Sequence, residues 1–395
     1  MQPLTPDVHN LVLSFFYQVK QKVMQKVLHV EQARDCFAFA QMQAPDDDAA
    51  REIIERESAF VFDLDKPPVF RAVLVKTPSN HLLLLNQHHV GADGWSRTQY
   101  RGQILKAYLA LKRGEEPESI PTHPSYIAWT MYTRHLLFDY GQREKQLAYW
   151  KEKLSNLPVL DLPLDHVRPT VLSSRGARIP VTISAELTRK FSNLMARANS
   201  NLFVGLLSLY MSLLHAWGGG EKFAIGVAMA NRQHEGLDKL VGYMANEVAI
   251  VGDFSADPSF DEILRQIRKN VLEAMGNADV PFHEVCEEIK LERSSSRTSV
   301  FQAMFALQEA EWHSLDEISP KKGEGDVSFN LKQYNHNTSK FEVHLQLRHD
   351  GKGALEGDFH VATDLFSIAT GKRMIEAFLK LMQACIDEPE LPVIQ

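Results

Sequence analysis

The stretch that decides the fold is residues 81–96, which read HLLLLNQHHVGADGWS. Its apolar first half is typical of a buried strand. Neighbouring side chains of a strand point to opposite faces, so only one of His88 and His89 can face a cleft at the strand end. We expect a tight turn through Asp93-Gly94 to follow and to leave that imidazole at the mouth of the cleft. An imidazole can hold or pass a proton near neutral pH, which suits the attack of an amine on a thioester.

Strand and helix patterns surround this motif. The apolar residues 69–76 and 81–88 flank a Thr-Pro-Ser-Asn turn and predict a β-hairpin. Helices are predicted over residues 8–30 and 49–58, and another is expected after the motif, ending at Gly114. The apolar face of this last helix is predicted to consist of Tyr100, Ile104, Ala107, Tyr108 and Leu111.

The second half of the chain repeats the alternation of strands and helices. Prolines interrupt the pattern between residues 158 and 175, which predicts a linker and a division into domains 1–165 and 166–395. A capping box at Ser259 and Glu262 predicts a helix that runs to Met275. Further helices are predicted at 142–154, 187–198, 202–217 and 366–386, and strands at 178–183, 223–229, 298–307, 341–347 and 355–360. The fold class is therefore predicted to be mixed α/β.

Composition excludes several classes of protein. Of 395 residues, 44% are hydrophobic and 24% are charged, which is ordinary for a globular protein. The net charge of −7 argues against nucleic-acid binding, because that function normally needs a basic face. We see no apolar run of membrane-spanning length and no signal-peptide pattern, so we expect a cytoplasmic protein without membrane partners.

Metal and nucleotide sites are not predicted. The three cysteines, Cys36, Cys286 and Cys385, lie too far apart in sequence for a zinc cluster or a disulfide framework. The adjacent pair His88 and His89 does not have the i, i+4 spacing of a helical zinc site. No phosphate-binding glycine motif and no GxSxG nucleophile elbow occur.

The histidine stretch resembles the HHxxxDG motif of condensation domains of non-ribosomal peptide synthetases, which belong to the chloramphenicol-acetyltransferase-like superfamily. The resemblance runs from about residue 58 to the end. Residues 1–48 lack the family's usual opening motifs, and we interpret them as a diverged or truncated start. Further segments resemble family motifs in the family's order: 60–64 with 68–72, 126–129, 146–165, 230–232 with 241–246, 277–282, 296–302, 339–343 and 364–366.

The resemblance implies two chloramphenicol-acetyltransferase-like lobes in a V-shaped pseudo-dimer with a tunnel between them. It implies that His89 is the catalytic residue, which either removes the proton of the amine or positions the amine and stabilises the tetrahedral species. It also implies that His88 orders the strand end and that Asp93 forms an ion pair with Arg232. Gly94 is expected to occupy a turn position with positive φ. The tunnel-lining candidates are Gly91, Trp95 and Asn246.

The predicted function is therefore that of an acyltransferase of secondary-metabolite biosynthesis. It would join a carrier-bound acyl or aminoacyl thioester to an amine acceptor, forming an amide (peptide) bond. The resemblance implies no directly bound cofactor or metal, because the thioester arrives on the phosphopantetheine arm of a peptidyl or acyl carrier protein. Adenylation domains would act in trans. The alternatives are a free-standing acyltransferase to a soluble amine or alcohol, an inactive recruitment platform, and an epimerase that shares the histidine motif.

Overall fold

The computed structural model describes residues 14–19, 22–28, 32, 36–118, 125–290, 294–308 and 337–392. They form two compact units, and each unit is built from more than one stretch of the chain. The first unit holds the described parts of residues 1–134 together with 232–245, and the second holds 135–231, 246–308 and 337–392. Residues 135–165 thus pack with the second unit. The predicted division at residue 165 followed the prolines, which mark a linker but do not show what the preceding helix packs on.

The first unit is built on a three-stranded sheet in the order β3-β4-β5, with β3 parallel to β4 and β4 antiparallel to β5. A separate antiparallel pair, β1 and β2, occupies residues where the sequence predicted a helix, so that prediction is wrong for the described part of residues 8–30. The strands are β1 Ser14–Val19, β2 Lys22–Val27, β3 Ala38–Gln43, β4 Phe70–Lys76 and β5 His81–Gln87. The helices are α1 Asp47–Ser58, α2 Gly94–Lys112 and α3 Tyr126–Asp139, whose last residues enter the second unit.

The hairpin β4–β5 confirms the sequence prediction and explains why the histidines follow it. Phe70 pairs with Gln87 and Lys76 with His81, so the strand ends are level. The turn between them is closed by a 2.8 Å hydrogen bond from the Thr77 amide to the Asn80 carbonyl. Since β5 ends at Gln87, the next residues leave the sheet at the end opposite to this turn.

Helix α2 confirms the predicted helix but not its predicted face. Tyr100 is buried, whereas Ile104, Tyr108 and Leu111 are 38%, 48% and 60% exposed. The buried side of α2 instead contains Ser96 and Ala110 along with Tyr100. Apolar periodicity did not predict which side of α2 is buried, because polar contacts of Ser96, described below, hold the start of the helix.

The second unit has a six-stranded sheet in the order β6-β11-β10-β9-β7-β8. Strand β9 pairs in parallel with β7 and β10, and the remaining neighbours are antiparallel. Its strands are β6 Gly176–Ile183, β7 Lys222–Met229, β8 Asn246–Asp253, β9 Ala303–Gln308, β10 Val343–His349 and β11 Leu355–Ala362. Its helices are α4 Gln142–Leu154, α5 Ala185–Arg197, α6 Leu202–Leu214, α7 Phe260–Met275, α8 Phe282–Glu288 and α9 Ile368–Asp387. The predicted capping box of α7 is present.

Helix α6 is the centre of this unit's core. It continues through a π-helical turn, His215–Gly219, and every residue from Val204 to Leu214 is buried. Residues 202–219 have a mean hydropathy of 1.4 and are long enough to cross a membrane. The expectation that the chain has no apolar run of membrane-spanning length is therefore wrong. Since 67% of this stretch is buried inside the structure, its apolar character is that of a core helix.

Candidate functional site

The histidines lie in a turn that directly follows β5. The His88 amide donates to the Val69 carbonyl at 2.9 Å, and the Gly91 amide closes the turn on the His88 carbonyl at 3.1 Å. The sequence placed the tight turn at Asp93-Gly94, and that prediction is wrong. The chain has already turned by Gly91, so the residues that follow begin helix α2.

His88 is partly buried and supports this turn. Its Nδ1 accepts a 3.1 Å hydrogen bond from the Val90 amide, and its ring meets Phe62 edge to face at 6.3 Å. In the neutral imidazole the proton is therefore on Nε2. These contacts agree with the strand-ordering role that the resemblance implies.

His89, by contrast, is exposed. Its ring packs in a T-shaped arrangement on Tyr243, with 5.3 Å between ring centroids and 77° between the ring planes. The two neighbouring histidines thus occupy different environments, although both lie in the turn after β5 and not in the strand from which the sequence predicted this difference. An exposed imidazole can exchange protons with a substrate, which the partly buried His88 is less suited to do.

Asp93 is the N-cap of helix α2. Its Oδ1 accepts the Ser96 amide at 2.8 Å, which satisfies one of the free amides at the helix start. Gly94 is the first residue of the helix and has no positive φ, so the prediction of a left-handed turn residue is wrong. The Asp93 carboxylate caps helix α2, so the helix already begins at Gly94, where the sequence predicted a turn.

Asp93 also forms a buried ion pair with Arg232. Nη2 of the guanidinium lies 3.1 Å from each carboxylate oxygen, and the two side chains are 2% and 3% exposed. Nη1 donates to the carbonyls of Leu237 and Leu240 at 2.6 and 2.5 Å. Burial lowers the pKa of the Arg232 guanidinium, and the Asp93 carboxylate opposes this shift. The structure therefore brings together the two residues that the resemblance paired.

Ser96 is a member of this network that the sequence analysis missed. Its fully buried hydroxyl lies 2.7 Å from Asp93 Oδ1 and 2.7 Å from the Gly242 carbonyl, and it accepts from Arg232 at 2.9 Å. The Gly242 amide donates to the same oxygen at 3.0 Å. Asp is a preferred N-cap residue, so the sequence could have identified Asp93 as the helix start, which places Ser96 in the first turn.

Residues 232–245 thereby become part of the histidine site. Besides the contacts of Arg232 and Gly242, the Met244 amide donates to Asp93 Oδ2 at 3.1 Å. The Tyr126 hydroxyl donates to the Tyr243 carbonyl at 2.8 Å. These contacts hold the segment that carries Tyr243 beside His89.

The three tunnel-lining candidates lie in different surroundings. Gly91 is buried in the histidine turn. The Trp95 indole donates to the Asp238 carbonyl at 2.7 Å, with the Arg232 guanidinium 5.9 Å from the ring centroid. Asn246 belongs to the second unit, where its amide anchors residues 278–282 through bonds to the carbonyls of Ala278 and Val280 and from the Phe282 amide. Their role as tunnel-lining residues stays a prediction.

No set of three or more histidine, cysteine, aspartate or glutamate side chains suited to a metal occurs among the residues whose placement the structure gives. The site itself contains one exposed imidazole, a neighbouring phenol ring and a buried ion-pair network.

Comparisons with known proteins agree with this geometry. The family model described as "Condensation domain" matches residues 8–395. A linear gramicidin synthase protein from Brevibacillus parabrevis is 32% identical over 88% of this chain, and malpibaldin synthetase from Mortierella alpina is 31% identical over 84%. The chain covers only 4% and 6% of the length of these relatives.

Solved structures show the same fold at lower identity. The X-domain from teicoplanin biosynthesis matches with a TM-score of 0.82 at 21% identity, covering 98% of this chain and 86% of that one. The condensation domain of the Monacolin K polyketide synthase MokA matches with a TM-score of 0.80 at 17% identity, covering 98% and 88%. A second structure of the X-domain is its complex with OxyB. The predicted chloramphenicol-acetyltransferase-like α/β fold is thus confirmed.

Proposed function

The chain belongs to the condensation-domain family, and from this premise we propose that it joins a carrier-bound acyl or aminoacyl thioester to an amine. Condensation domains are acyl-transferring enzymes of non-ribosomal peptide synthesis that form amide bonds. In the proposed reaction the amine nitrogen attacks the thioester carbonyl, a C–N bond replaces the C–S bond, and the proton lost by the amine ends on the released thiol.

The observation that carries the proposal is the difference between His89 and the residues around it. Asp93, Ser96 and Arg232 are buried and bonded to one another, which fixes the start of helix α2 directly after the histidine turn. His89 lies in that turn and is exposed. A catalytic group on a rigid support gains rate because less orientational freedom has to be lost in the transition state.

His89 can serve this reaction in either of the two ways that the resemblance implies. As a general base it takes the proton of the attacking amine and passes it to the thiolate. As a positioning and electrostatic group it holds the amine and stabilises the tetrahedral species. Both roles need the imidazole nitrogen to reach the amine, so both predict that removal of the ring abolishes turnover.

The proposed partners follow from the substrates. The donor is bound to the phosphopantetheine arm of a peptidyl or acyl carrier protein, and adenylation domains load such carriers. These partners are encountered in the cytoplasm. Since the chain spans a small share of its relatives, the amine acceptor is proposed as a class, a carrier-bound or free amine.

An intact-mass assay tests the proposal. Purified protein is mixed with carrier protein loaded with acyl and aminoacyl groups, and with carrier-bound amines, free amines and free alcohols in separate reactions. A new amide mass on a carrier or a free amine is the expected result. Product with alcohols only would instead indicate a free-standing acyltransferase to alcohols. Carrier binding without any product would indicate a recruitment platform, and inversion of a loaded aminoacyl group without condensation would indicate an epimerase.

A further inference from the structure

We infer that Tyr243 is a positioning residue that sets the orientation of the His89 imidazole. The inference rests on the proposed function for its kinetic consequence but not for its structural one. Tyr243 lies within the segment 241–246 that resembles a family motif, and the resemblance assigned it no role.

The contact between the two rings is direct. Their centroids lie 5.3 Å apart and their planes are inclined by 77°, which is the edge-to-face geometry that aromatic pairs favour. His89 is exposed, and its side chain has three staggered wells at χ1 and a broad range at χ2. A ring packed against one side of the imidazole reduces that choice.

Tyr243 can act as a support because its own backbone is held. Its carbonyl accepts the Tyr126 hydroxyl at 2.8 Å, and the residues on either side are bonded to the capping network of α2. The Gly242 amide donates to Ser96, and the Met244 amide donates to Asp93. The ring of Tyr243 therefore projects from a backbone that is tied to the same helix start as the histidine turn.

The position of Tyr126 adds to this restraint. A Cβ atom placed on Gly242 would lie 2.3 Å from Cδ2 of the Tyr126 ring, so the ring is packed directly on the Gly242 backbone. The segment that presents Tyr243 is thus covered by a tyrosine ring and bonded through the hydroxyl of that same ring. The restraint on His89 extends from Tyr126 through Tyr243.

Histidine-selective NMR tests the inference without any need for turnover. Protein labelled with carbon-13 at histidine Cε1 is compared with His89→Ala to assign the His89 signal. Tyr243→Leu removes the aromatic ring, and we expect the His89 signal to move because the ring current is lost. Tyr243→Phe keeps the ring and should leave the signal in place. Tyr108→Leu, a change at another exposed tyrosine of the same unit, is the matched control and should also leave it in place.

Kinetics give the second readout. Tyr243→Leu should lower kcat by about two- to ten-fold, the range expected for one aromatic pair, with little change in KM. Tyr243→Phe should restore kcat. Tyr126→Phe removes only the hydroxyl anchor of the Tyr243 backbone and should move the His89 signal relative to the unaltered protein, whereas Tyr108→Leu should not. This comparison provides a reading if the leucine variant fails to fold.

An unmoved His89 signal in folded Tyr243→Leu protein overturns the inference. So does a loss of kcat in Tyr243→Phe as large as in Tyr243→Leu, because the hydroxyl rather than the ring would then be responsible. If the signal moves as expected but the unaltered protein forms no amide with any substrate pair, the ring contact stands and the proposed function fails.

Discussion

Asp93 and Arg232 form a buried ion pair across 139 residues of sequence, with the guanidinium Nη2 3.1 Å from both carboxylate oxygens. Asp93 caps the helix that follows the histidine turn, and Arg232 begins the segment that carries Tyr243. The pair is therefore one of the links between the two parts of the first unit that meet at His89.

Removing one partner of this pair should destabilise the protein. Asp93→Ala leaves the Arg232 guanidinium buried without its carboxylate, which costs on the order of 3–5 kcal/mol. We expect less soluble protein and an early urea unfolding midpoint. Glu115→Ala, which breaks the exposed pair with Arg113, is the control and should change the unfolding free energy much less, because water screens an exposed pair. Normal solubility and unfolding together with lost turnover would instead make Asp93 directly catalytic.

Ser96→Ala should lower the free energy of unfolding considerably, although it removes only one hydroxyl group. The hydroxyl has contacts with Asp93, Arg232 and Gly242, and its loss leaves buried polar atoms without a partner at a cost of about 1–3 kcal/mol. Ser255→Ala removes a hydroxyl that bonds an exposed carboxylate, Asp253, and should change the unfolding free energy much less. Equal losses of unfolding free energy in Ser96→Ala and Ser255→Ala, measured in urea, would contradict the stabilising role of the Ser96 hydroxyl.

Gly242→Ala should destabilise the protein through a steric clash. The new Cβ would lie 2.3 Å from the Tyr126 ring, and a forced shift of this kind typically costs about 1–3 kcal/mol. Gly276→Ala is the matched control, since its Cβ would meet atoms at 3.6 Å or beyond and its φ of −70° suits alanine. Differential scanning calorimetry should therefore show a lower Tm for Gly242→Ala only, and similar Tm values would refute the close packing of Tyr126.

Two partly buried histidines of the second unit, His344 and His360, predict a loss of stability in mild acid. Desolvation, with His360 and Arg178 nearby, lowers the pKa of His344 to about 3, and desolvation with Arg178 nearby lowers that of His360 to about 4. Both groups titrate near pH 6.5 when unfolded, so the unfolded state binds more protons between these values. The contribution of these two histidines to the free energy of unfolding should be fully present above about pH 6.5. It should be lost progressively toward pH 4, by at most about 1.4 kcal/mol per pH unit for each histidine.

The measurement is the free energy of unfolding in urea at pH 7 and pH 5. His344→Phe removes one titrating group and should flatten the difference between the two pH values. His81→Phe, at an exposed position, should leave the difference unchanged. A wild-type protein that is equally stable at both pH values would show that the two imidazoles are protonated without penalty.

Sequence patterns predicted correctly those elements that depend on residues close together in the chain. The hairpin β4–β5, helix α4 and the capping box of α7 were confirmed because turn residues, periodicity and caps act within a few positions. The face of α2 and the φ of Gly94 were predicted wrongly, since both depend on how Asp93 and Ser96 are bonded to a distant segment.

The pairing of Asp93 with Arg232 could be predicted only through the family resemblance, because no local pattern relates residues 139 positions apart. Ser96 and Tyr243 were not predicted at all. The N-cap preference of Asp points to Asp93 as the helix start but not to the bonds of Ser96 with a distant segment, and no spacing distinguishes Tyr243 from an ordinary loop residue. Each acquires its contacts only when residues 232–245 pack on the start of α2 and the histidine turn.

The central claim is that His89 carries the chemistry, and a pair of histidine variants of the same strand region tests it most directly. His89→Ala and His81→Ala, at the exposed start of β5, would be compared with the unaltered protein for amide formation and for carrier-protein binding. The account predicts that His89→Ala loses at least about 100-fold in rate while it keeps its melting temperature and carrier binding, and that His81→Ala is unaffected. Amide formation by His89→Ala at the unaltered rate would contradict it.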